Sequence, residues 1–199
     1  MGSRSKKRFQ LLIKELATQV DGKIYGINLS ETAVDFDENN PPEDFTFDKY
    51  FSSELENISE LRKAFHKSVV MQYVNFFPGE WNNDHHYISR FFSYAMNYHI
   101  GLGGPDVVPY REAHMKNSYP FFHNLKGKLL TGMAIQEPDY TYKNPETEEP
   151  YTFSDFYQFT KGYLGANIIF WNIQEPFLST QLVPKLSDNY FECLKNQIS

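Results

Sequence analysis

Five short apolar runs, each preceded by a stretch of helical periodicity, constrain this chain more than any other feature. The runs occupy 23–31, 68–76, 95–102, 128–137 and 166–173, are rich in Val, Ile, Leu and aromatics, and carry little charge inside. That is the pattern of parallel strands covered on both faces. The intervening segments are amphipathic. Phe9, Leu12, Ile13, Leu16 and Val20 form one stripe, ending at Asp21-Gly22. Phe51, Leu55, Ile58, Leu61 and Phe65 form a second, with Asp48 as the expected N-cap. Tyr87, Ile88, Phe91 and Phe92 follow a cap at Asp84, and Pro109 and Pro120 bound the next helical stretch. Ser154 is placed to cap a helix carrying Phe156, Phe159, Tyr163 and Leu164, stopped by Gly165. A last pattern runs through Leu182, Leu186, Phe191 and Leu194.

Strand alternating with helix at roughly 30 to 40 residues per unit predicts a parallel α/β protein. Loop lengths add an orientation. Connections entering the runs are minimal (Asp21-Gly22, Lys126-Gly127, Gly165), whereas those leaving them, 32–47, 78–84 and 138–152, are long and polar. Short turns at one end and elaborated loops at the other are how a (β/α) barrel carries its site at the strand carboxyl ends. Five units cannot close an eight-stranded barrel. The expectation is therefore a partial (β/α)8 barrel lacking its first three units, a single incomplete domain over 1–199, with an open doubly wound sheet as the competing architecture. Unpaired strand edges and a partly uncovered inner face follow from that reading, and self-association through the edges is a route to cover them.

Composition narrows the chemistry. The net charge is −6 and, beyond the Arg4, Lys6, Lys7, Arg8 cluster, basic residues are scattered. This argues against nucleic acid as a partner. The lone Cys193 excludes an internal disulfide framework and a Cys-rich zinc site. No run is long and apolar enough for a membrane span. The first apolar run contains Lys14 and Glu15 and is no export leader; any such signal would lie upstream, so the compartment stays open. His85-His86 reads as a solvated helix start, because adjacent helical side chains diverge. With no HExxH, CxxC, P-loop or GxSxG motif in the chain, no metal or cofactor is expected.

The runs end on chemistry-bearing residues. Glu31 and Glu137 each close an apolar run and open a long loop, the station where barrel enzymes place catalytic groups. Alternation puts Met133, Ile135 and Glu137 on one face, expected to point into the barrel. The competing reading of each glutamate is a solvated loop acid, and Asp35 and Asp139 are rivals further into the loops. Trp171 ends the fifth run, as core or as a platform for a sugar ring, and Trp81 is a second such candidate. Tyr98 and His99, with the glycine-rich stretch leading to Asp106, are assigned to the end of the third run, and Gln72 and Asn75 to the second.

With these residues in place, the chain resembles the later part of a retaining glycoside hydrolase barrel of the large clan with catalytic glutamates after strands four and seven. Counting the first run as strand four, Glu31, Glu137 and Trp171 fall in order on that clan's acid/base, nucleophile and strand-eight tryptophan positions. Two positions depart from the pattern. Ser30 stands where the clan has Asn directly before the acid/base, with Asn28 two residues back, and the clan's strand-six tyrosine is matched by Tyr98. The resemblance implies a carbohydrate substrate and retaining hydrolysis, which needs the two carboxyl groups roughly 5 to 5.5 Å apart and is expected to be impaired in a chain lacking three barrel units. It also implies sugar contacts from Asn28, Gln72, Asn75, Trp81, Tyr98, His99, Asp106 and Trp171. A carbohydrate-binding relative that does not cleave, or an open α/β enzyme using Glu, His and a metal, are the alternatives.

Overall fold

The computed structural model describes residues 3–35 and 40–187. Helix α1 (Ser3–Val20) buries Ile13 and Ala17 against α2 (Phe47–Ala64), whose own face presents Phe51, Ile58 and Leu61. Ion pairs Lys6–Glu56 and Lys14–Glu60 line the same seam. Thr46, not Asp48, caps α2, its hydroxyl accepting the Lys49 N–H at 3.2 Å. Where α1 ends, the Asp21 carboxylate accepts backbone N–H groups of His66, Lys67 and Ser68, fastening that turn to the start of the next strand.

Five strands, β1 (Gly26–Leu29), β2 (Val69–Tyr73), β3 (Gly101–Gly104), β4 (Thr131–Ile135) and β5 (Ile168–Trp171), pair in sequence order, all parallel. Between them lie α2, α3 (Tyr87–Asn97), the short α4 (Glu112–Lys116) and α5 (Tyr119–Asn124), and α6 (Phe153–Tyr157), which runs on as a π-helical turn, Gln158–Tyr163; α7 (Val183–Ser187) follows β5. The sheet is a curled half-barrel with helices alternating along it, as the βα rhythm predicts. Phe191, Leu194 and Cys193 lie outside the described residues.

The register separates two faces. Val70, Leu102, Met133 and Ile135 are buried among the helix side chains Phe51, Ile58, Leu61, Phe91 and Phe122, and Ile27, Leu29, Ile169 and Trp171 pack onto the same cluster. The opposite, concave face is paved with Gly101, Gly103 and Gly132, over which Met71, Tyr73 and Phe170 lie. Met71 is buried yet stands outside the helix-side cluster, which marks the concave face as a separate layer. The glycines are sterically required: a Cβ on Gly103 would stand 1.7 Å from the Gly132 carbonyl oxygen, and one on Gly132 would stand 2.4 Å from the Met71 methyl carbon.

Three expectations are corrected here. Only the last two residues of the run 95–102 belong to the third strand; Ala95 completes the α3 stripe with Tyr87, Ile88, Phe91 and Phe92, and the strand is Gly101–Gly104. Glycine disfavours strands by propensity, but close packing on the concave face overrides it. Met133 and Ile135 face the helices, so Gly132 and Ala134 are the inward residues of β4, and the alternation expected to carry Glu137 inward runs on the helix side instead. The caps also differ. Thr152 with Asp155 forms a capping box on α6, and the buried Glu80 carboxylate accepts the Tyr87 and Ile88 N–H groups at 2.6 and 3.0 Å to start α3. Asp84 instead bonds back to the Trp81 N–H.

Candidate active site at the strand carboxyl ends

The carboxyl rim of the sheet gathers a polar group from every strand. After β1, Glu31 is exposed, and its Oε2 accepts from the Asn75 amide that follows β2. Asn75 is itself buried and fully directed, since its Oδ1 accepts the N–H groups of Phe76 at 2.8 Å and Ala33 at 3.3 Å. The backbone on either side of Glu31 is strapped down. Gln72 donates to the Ser30 carbonyl, and the Tyr50 hydroxyl donates to the Thr32 carbonyl at 3.0 Å. The Thr32 hydroxyl donates to the Phe76 carbonyl at 2.8 Å.

After β4 the arrangement repeats. Glu137 is exposed, and its Oε2 accepts from the Gln174 amide in the loop after β5. Gln136, next in the inward series Gly132, Ala134, donates to Asp106 after β3 at 3.2 Å. Asp139 holds this turn. Its buried carboxylate accepts the Gln136 N–H at 3.1 Å and the Val107 N–H at 2.9 Å, joining the loops that carry Glu137 and Asp106. Burial pushes the Asp139 carboxyl up to about 7; the two N–H bonds restrain that rise and the charge of Asp106 adds to it. The Glu137–Pro138 and Glu175–Pro176 peptide bonds are cis.

Beneath the rim, His114 is buried between Phe76 and Tyr119, with ring centroids at 5.0 and 4.9 Å. Burial, reinforced by the Arg111 cation and opposed by Asp106, lowers its imidazole to about 4, so it is neutral. Trp81, in the loop after β2, lies parallel to Phe76 at 6.5 Å and is 49% exposed.

Of the residues singled out from sequence, Glu31, Asn75, Trp81, Asp106 and Glu137 lie in the loops at the strand carboxyl ends, and Asn28 is exposed on the concave face of β1. Tyr98 and His99 lie at the opposite end, between α3 and the start of β3, because the strand begins later than the apolar run suggested. Gln72 points to the helix layer and spends its amide on the Ser30 and Tyr73 carbonyls. Trp171 stacks against Phe153 at 4.9 Å and Phe177 at 6.0 Å in the core, rather than standing open as a platform. Gln136, Gln174 and His114 were not foreseen. A signal existed for two of them, since Ile-Gln-Glu-Pro occurs at 135–138 and again at 173–176. The first copy supplies Gln136 and Glu137, and the second supplies the amide that holds Glu137.

Among the described residues no group of three or more His, Cys, Asp or Glu side chains is placed to hold a metal ion, and no helix is long and apolar enough to cross a membrane. No protein-family model, curated protein or solved structure matches the chain. Chemically, the rim offers two carboxylates on non-adjacent strands, each oriented by an amide from the neighbouring strand's loop, and an exposed indole in the loop after β2.

Proposed function

We propose that this chain is a glycoside hydrolase-like barrel segment that cleaves glycosidic bonds with retention, Glu31 acting as acid/base and Glu137 as nucleophile. The observation that carries the reading is the paired design of the rim. Asn75 fixes one oxygen of Glu31 and Gln174 fixes one oxygen of Glu137, so two carboxylates three strands apart are pre-oriented by amide donors. Three inter-strand steps span roughly 14 Å along a flat sheet. Retaining hydrolysis needs the two carboxyl groups roughly 5 to 5.5 Å apart, so the reading requires the curl of the sheet and the loops to bring them together.

In this mechanism a sugar ring entering the mouth excludes water from both carboxyls. Glu31 acts as the general acid and gives a proton to the leaving glycosidic oxygen. A Glu137 oxygen attacks the anomeric carbon from the opposite side, forming the glycosyl ester as the glycosidic bond breaks. Glu31, now ionised, takes a proton from water, which attacks the same carbon and frees Glu137. Trp81, braced by Phe76, offers a flat apolar face to the C–H side of the ring. The test is turnover of a panel of 4-nitrophenyl glycosides. Glu137→Gln should abolish it, and Glu31→Gln should slow glycosides with poor leaving groups by about 10²- to 10⁴-fold. Retained turnover in Glu137→Gln sinks the assignment, and sugar binding by a native chain that turns over nothing leaves a carbohydrate-binding barrel in its place.

A further inference from the structure

The loops that carry the mouth also wall a groove on its flank. Residues 109–110 of the loop after β3, residues 144–146 of the loop after β4, and the α6 segment enclose about 540 Å³, within the roughly 300–1,000 Å³ of small-molecule sites. Tyr110 dominates it. The residue is 65% exposed. Its backbone is left-handed at φ 56°, a conformation that strains a bulky residue. Neighbouring contacts hold the loop there: the Tyr151 hydroxyl donates to the Pro109 carbonyl at 3.0 Å, and the Arg111 guanidinium covers the Tyr142 ring at 5.1 Å. The Tyr110 ring stands edge-on to Phe159 at 4.8 Å, and Phe159, Tyr163 and His123 continue as a stacked series at 5.0 and 4.3 Å.

We propose that this groove is a distal sugar-binding subsite, so that the substrate is an oligo- or polysaccharide rather than the glycoside of a small alcohol. The proposal rests on the carbohydrate reading of the mouth, though not on hydrolysis. An exposed ring face bordered by hydrogen-bonding groups, here Asn144, Glu146 and Gln158, matches a pyranose, which has an apolar C–H face and a hydroxyl edge. The lining holds no lysine or arginine and includes Glu146 and Asp155, which selects a neutral glycan over a sulfated or phosphorylated one. Continuity with the mouth is covalent. Tyr110 lies four residues beyond Asp106, at most roughly 14 Å of extended chain, a span that a short oligosaccharide bridges.

The experiment is calorimetric titration of the chain with β-1,4-linked hexasaccharides of glucose, mannose and xylose, and with a lysine-rich peptide. Tyr110→Gly deletes the ring while suiting the left-handed backbone, so it separates loss of binding from loss of folding. At least one hexasaccharide should bind, Tyr110→Gly should weaken it by about tenfold or more, and Tyr110→Phe should match the native chain. Turnover of 4-nitrophenyl monoglycosides should not change in Tyr110→Gly. Failure of all three hexasaccharides to bind, equal binding by Tyr110→Gly, or capture of the peptide alone overturns the subsite. Hexasaccharide binding that depends on Tyr110 in a chain with no turnover supports the subsite and removes hydrolysis.

Discussion

Asp139 and His114 are buried close to the same two charged residues, Asp106 and Arg111, and are shifted in opposite directions. Replacing either one should therefore tilt the pH–stability profile in a defined sense. The Asp139 carboxyl moves from 3.8 in the unfolded chain to about 7 in the fold. As pH rises through that window the unfolded state ionises first, so stability present below 3.8 is lost by about pH 7. At about 1.4 kcal/mol per pH unit the loss is about 4 kcal/mol. His114 moves from 6.5 to about 4. Its contribution is complete above 6.5 and is lost as pH falls towards 4, about 3 kcal/mol on the same scale. The two slopes oppose each other across nearly one window, so in the native chain they largely cancel.

The assay is urea unfolding followed by circular dichroism between about pH 4 and about pH 8. Asp139→Asn keeps an oxygen for the Val107 and Gln136 N–H groups and removes the titration. Relative to the native chain it should gain stability progressively with rising pH, by about 4 kcal/mol above pH 7. His114→Phe, which fits between Phe76 and Tyr119, should gain stability towards acid pH by about 3 kcal/mol. Glu54 and Glu80 are also raised by burial. Each variant is therefore compared with the native chain, in which those groups are unchanged. Profiles parallel to the native one for either variant would refute the reasoning.

Gly103→Ala should cost more than about 3 kcal/mol or prevent folding, because its methyl collides with the β4 backbone. Gly162→Ala, with nothing within 4 Å of the new methyl, should instead stabilise by about 0.4–1 kcal/mol; thermal unfolding distinguishes the two. Gln174→Ala should reduce kcat/KM on glycosides by about tenfold with stability unchanged, since it removes only the amide on Glu137. Asn75→Ala should lose both activity and about 1–3 kcal/mol of stability, because it also orphans the Phe76 N–H.

Fold class was legible in the sequence because hydrophobic rhythm and loop asymmetry are local. Phe51, Ile58 and Leu61 on α2, and the β2 run around Val70 and Val74, are where periodicity places them. The third strand was misplaced for a reason of packing. Gly101–Gly104 carries a single apolar side chain, Leu102, and only the approach of Tyr73 and β4 explains the glycine at 103. The same limit applied to the site. Glu31 and Glu137 were visible as carboxylates at run ends, but which face a neighbour occupies is a question of register. Trp171, legible as either core or platform, packs against the core beside Phe153, while Gln174 became significant only when β5 was laid beside β4. His114 carried no motif; its interest comes from burial between Phe76 and Tyr119, which no local pattern reveals.

The central claim is that Glu137 attacks an anomeric carbon. Incubation with a 2-deoxy-2-fluoroglycosyl fluoride, whose C2 fluorine slows breakdown of the glycosyl ester, followed by peptide mass spectrometry, tests it most directly. The account predicts one glycosyl adduct, on the peptide containing Glu137, and none in Glu137→Gln. An adduct on another residue, or no adduct with any fluorosugar tried, would contradict it.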